Sequence, residues 1–118
     1  MKDLYDSIAN VCREFENSSV LNDYIEAKAE AEADKESWAK IREFQKLHIK
    51  INEKEANGEE DFGLRHHVST TYFDLLRTPV CERFIKAENR LLSHLKYYDS
   101  CINGVLKKKG INGFGGDE

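Results

Sequence analysis

Apolar residues recur at intervals of three and four along most of this chain, the period of one face of a helix. Leu4, Ile8, Val11 and Phe15 do so first, over a helix running roughly from Lys2 to Glu16. Asn17-Ser18-Ser19 ends that helix and offers a cap to the next. The second helix, about Val20 to Ala33, carries Leu21, Tyr24, Ile25 and Ala31 on its inner side. Its distal part, EAKAEAEA, is alanine and charge. That composition favours helix but buries little, so the packing there must be thin or unusually close. Asp34 is placed to cap a third helix, about Lys35 to Ala56, in which Ile41, Phe44, His48 and Ile51 keep the rhythm and Trp38 and Leu47 flank it. Asn57-Gly58 is a stop, because glycine takes the left-handed conformation after a helix at little cost. GEEDFG then reads as a loop, and a fourth helix from about Leu64 to Leu76 aligns Leu64, Val68, Tyr72 and Leu75.

The fifth helix differs in scale. Thr78-Pro79 starts it, since a threonine oxygen can accept a backbone N–H at the cap and proline suits the first helical position. It continues without another proline to about Leu106, some 28 residues or roughly 42 Å. Lys107 to Lys109 stand where positive charge complements the helix dipole, and Gly104 is a weak point. Val80, Phe84, Ala87, Leu91, His94, Tyr98, Cys101 and Val105 alternate spacings of four and three throughout, the rhythm of a coiled-coil seam. A second stripe lies beside it: Cys81, Ile85, Leu92, Leu95, Ile102 and Leu106, interrupted by Glu88 and Asp99. An outer helix of a bundle needs one stripe, so two imply cover from two directions. One cover is the chain's own helices and the other a second subunit, the alternative being a helix at the centre of a monomeric bundle. The residues expected to anchor subunit on subunit are Phe84, Leu91, Leu95, Tyr98 and Ile102.

The pattern therefore predicts an all-α protein, an antiparallel bundle of about five helices with a long C-terminal one. A single domain is expected over residues 1–108, with an irregular tail over 109–118. A single proline and a charged fraction of 34% agree with long helices. The net charge of −4 argues against a nucleic-acid surface, which is usually basic. No continuous apolar region opens the chain and none approaches membrane-spanning length, so neither a secretory leader nor a membrane partner is expected. The three cysteines, Cys12, Cys81 and Cys101, are odd in number and far apart, which suits a reducing cytoplasm better than a disulfide framework.

Candidate chemistry is sparse. No glutamate has a histidine three residues on, as di-iron bundles require. His66 and His67 point about 100° apart on a helix and cannot easily share a metal, which leaves only a site assembled from distant helices, such as His48 with His94. His48 and His94 read first as core histidines with a hydrogen-bond partner, and otherwise as a pH-sensitive contact. Cys81 reads as a small buried apolar residue, and otherwise as a thiol acidified by the helix dipole. No phosphate-binding loop, nucleophile elbow or zinc-protease pair occurs. The expectation is a protein without catalytic, metal or cofactor residues.

Two segments carry a resemblance. One is SSVLNDYIEAKAEAEADKESWAKIREFQKLHIKINEKEANGEE, with a serine-led second helix, an aspartate-led third helix bearing Ile41-Arg42-Glu43-Phe44-Gln45, and the Gly58 turn. The other is LLRTPVCERFIKAENRLLSHLKYYDSCINGVL, a short leucine-rich lead, a turn, and a long helix with an aromatic, Ala87-Glu88 and Leu91-Leu92. Together, from Leu4 to about Leu106, the chain resembles the YlbF/YmcA family of small helical bacterial proteins. The resemblance implies a non-enzymatic regulator or adaptor linked to competence and related developmental programmes, assembling with other proteins, including family paralogues, and in some members tied to RNA-processing machinery. Some members hold iron–sulfur clusters through cysteines partly near the C-terminus. Here the tail GVLKKKGINGFGGDE has none, so the cluster is not carried over. The expected protein is thus a cytoplasmic homodimeric adaptor. The alternatives are a metal- or cluster-binding regulator pooling cysteines across subunits, and an RNA-contacting accessory using Lys107 to Lys109.

Overall fold

The computed structural model describes residues 3–110. Five helices follow one another: α1 (Leu4–Glu16), α2 (Ser19–Ala33), α3 (Lys35–Ala56), α4 (Phe62–Leu75) and α5 (Pro79–Lys108). The all-α reading is therefore correct.

Short-range chemistry sets most of the boundaries. Asp3, Ser18, Asp34 and Asp61 each accept a backbone N–H three residues on, from Asp6, Leu21, Ser37 and Leu64. Each bond satisfies one of the free donors at a helix start. Gly58 and Gly110 have φ of 76° and 81°. They supply the left-handed residues that close α3 and α5.

Three details depart from the sequence reading. Phe62 and Gly63 are helical and not loop, because Asp61 caps α4 ahead of them. Thr78 makes no side-chain cap bond; Pro79 alone fits the start of α5. The helix also runs on to Lys108, where its end is met by the Lys109 and Gly110 N–H groups. The rest of the expected irregular tail, 111–118, lies outside the described residues.

Packing centres on α5 against α2, with α4 laid along α3. Ala31, Ile41, Leu75, Cys81, Phe84 and Ile85 form the core, edged by Tyr24, Trp38, Phe44, Tyr72, Leu76 and Val80. Phe84 is 1% exposed. Its ring sits 5.8 Å from Tyr24 and 5.8 Å, edge-on, from Trp38. Truncating such a side chain costs about 3–5 kcal/mol. The alanine-rich half of α2 resolves as close packing: Ala27 and Ala31, one helical turn apart, are both buried. Arg83 fastens the same seam by pairing with Asp23 at 3.2 Å and with Glu30.

The helices spread into a plate. The principal extents are 53 × 37 × 15 Å and the radius of gyration is 18.4 Å. A compact chain of this size has a radius of about 13 Å. The core consequently occupies one end of α5, and its buried residues stop at Ala87.

Candidate interaction surfaces

Beyond Ala87, α5 has no fully buried residue, and the described residues leave much of its two stripes uncovered. Leu92, Leu95, Tyr98, Ile102 and Val105 are exposed, Ile102 at 66%. Leu91, His94 and Leu106 are half-buried. Among the expected anchors, the structure corrects Phe84: it belongs to the subunit's own core and offers nothing to a partner. Leu91 is half-buried, and Leu95, Tyr98 and Ile102 lie open on the distal helix.

The sequence placed Leu4, Ile8, Val11 and Phe15 on one face of α1. The helix has no buried residue: Leu4, Ile8 and Val11 of that face are exposed, Leu4 at 73%, as is Tyr5. Phe15 meets Tyr98 edge-on at 6.1 Å, so α1 reaches the distal part of α5 at that point. The bare face of α5 thus borders a second bare face, on α1. The periodicity announced both stripes, but a stripe does not say which molecule covers it.

A separate groove lies further back, between α3, α4 and the proximal half of α5. Its volume is about 620 Å³, and its walls include Phe44, His48, Tyr72, Phe73, Ile85 and Glu88. Four rings run along it: His48 stacks on Phe44 at 5.6 Å, Phe44 meets Tyr72 at 5.5 Å, and Tyr72 meets Phe73 at 5.9 Å. Glu88 is half-buried there. Loss of hydration raises its pKa above the ordinary value of 4.5, offset partly by His48. Elsewhere, Asp61 holds its carboxyl below the usual value by accepting the Leu64 N–H and then the Lys54 ammonium at 3.0 Å.

Neither histidine of the α5–α3 pair is the core residue expected. His48 is exposed against Phe44, and His94 is half-buried beside Tyr98. Cys81 is buried with its thiol 3.8 Å from the Ser37 carbonyl, and burial pushes its pKa up, opposite to a dipole-acidified thiol. Cys12 and Cys101 are exposed on α1 and α5. With one thiol locked in the core, these cysteines do not fit a cluster within one chain. Among the described residues no three metal-competent side chains come together. No helix there is long and apolar enough to cross a membrane.

Compared with known families, the model described as "Control of competence regulator ComK, YlbF/YmcA" matches residues 4–106, all five helices to near the end of the last. No curated protein and no solved structure matches the chain.

Proposed function

The chain belongs to the YlbF/YmcA family, and from that premise we propose that it is a regulatory adaptor, non-enzymatic, that works as a homodimer through protein–protein contacts. The family description, control of the competence regulator ComK, supports a regulatory role. One observation carries the rest: the uncovered apolar surface joining α1 to the distal half of α5. Surfaces of this kind on a soluble chain are costly in water and mark interaction sites. A second copy is the occupant because the two bare faces lie side by side and are supplied by the same chain. A two-fold pairing buries the same patch from both subunits. Lys107 and Lys108 occupy the last turn of α5, where they complement the helix dipole, so they need no RNA to account for them.

Leu95→Glu tests the reading. Placing a charge on the distal face should halve the mass measured by sedimentation while the helical circular dichroism stays near wild type. Collapse of the helical signal would put Leu95 in the subunit core, and an unchanged mass would remove this face from the assembly.

A further inference from the structure

The groove between α3, α4 and α5 meets that face only at Leu92: Leu95, Tyr98 and Ile102 do not line it. We infer that it is a docking site for an amphipathic helix of a partner protein that carries a lysine or arginine between apolar residues, the cation seating against Glu88. The inference rests on the adaptor reading, since it names the chemistry of the partner such an adaptor would hold.

Three observations converge on this occupant. Each wall contributes one large apolar residue at its rim: Ile49 from α3, Phe73 from α4 and Leu92 from α5, all at least half exposed. A small molecule sunk between the walls would leave those rims wet, whereas a helix laid along the groove covers them. The second observation is charge. Among the described residues Glu88 is the only carboxylate in the lining, and no lysine or arginine lines the groove with it. Among the described residues no cation pairs with Glu88, although Lys54, Arg65, Arg83 and Lys86 all have carboxylate partners elsewhere. His48 on the same lining offsets the acid only in part and, among the described residues, makes no ion pair with it, so a basic side chain would complete the site through a charge-assisted hydrogen bond. The third is the aromatic wall. Phe44, Tyr72 and Phe73 line the groove together with that carboxylate, a setting that favours a cation with an apolar stem over an anion.

A displayed library of helix-forming peptides, panned against the full-length protein, provides the test. The recovered peptides should share a lysine or arginine flanked by apolar residues three or four positions away. Glu88→Gln should weaken their binding about tenfold or more, the value of a hydrogen bond to a charged group. Panning against Glu88→Lys should recover peptides with an acidic residue at the same place. Helical circular dichroism and solution mass of both variants should match wild type. The inference is wrong if no peptide is recovered, if the recovered peptides lack a basic residue, or if they bind Glu88→Gln as well as wild type. Those failures leave the mass of the protein untouched, so they are distinguishable from failure of the dimer.

Discussion

Glu88 is held at a cost to the fold. Its folded-state pKa lies above 4.5, so folding disfavours the ionised carboxylate. An acid raised in this way stabilises the fold most when protonated, below pH 4.5, and that contribution is lost as pH rises through the folded value. Glu88→Gln removes the charge and keeps the shape. The variant should therefore melt above wild type at neutral pH, and the difference should shrink as pH falls below 4.5. Calorimetry at the two pH values checks this, and equal melting at neutral pH would show that Glu88 is better solvated than the groove implies. Phe84 teaches the reverse lesson. Its place in the seam of α5 made it resemble an anchor for a second subunit, but Tyr24 and Trp38 already enclose it. Residue spacing cannot distinguish a side chain claimed by its own chain from one left for a partner.

At the scale of elements, what depended on neighbours in sequence was legible. Asp34 and Ser18 cap the helices they were expected to cap, and Gly58 takes its left-handed turn, because each effect spans only a few residues. The bounds of α3 follow directly from those signals. The start of α4 was missed because Asp61 looked like part of an acidic loop, whereas its carboxylate both caps α4 and reaches Lys54. The groove was not legible at all, since its walls come from three helices whose relative placement no local pattern encodes. Gly104 offers a test of the long helix itself. It lies half a turn around α5 from Leu95, and a Cβ built there meets nothing within 4 Å. Gly104→Ala should stabilise the protein by about 1 kcal/mol, read from urea denaturation, with the solution mass unchanged. A destabilised or dissociated variant would instead place that back face in contact with another subunit.

The whole molecule is a plate whose core fills one end. α2, α3, α4 and the proximal part of α5 bury one another, while α1 and the distal part of α5 extend an apolar surface that the described residues do not close. A thickness of 15 Å leaves no room for a second layer of helices over that surface within one chain. A dimer supplies the missing layer, leaving the groove beside Glu88 as a distinct place for a regulated partner. The solution mass of the unmodified protein by light scattering tests this most directly. The expected result is twice the chain mass of 13.6 kDa, held on dilution into the low micromolar range. A single-chain mass under those conditions would contradict it, for the open faces of α1 and α5 would then be stable in water without a second copy.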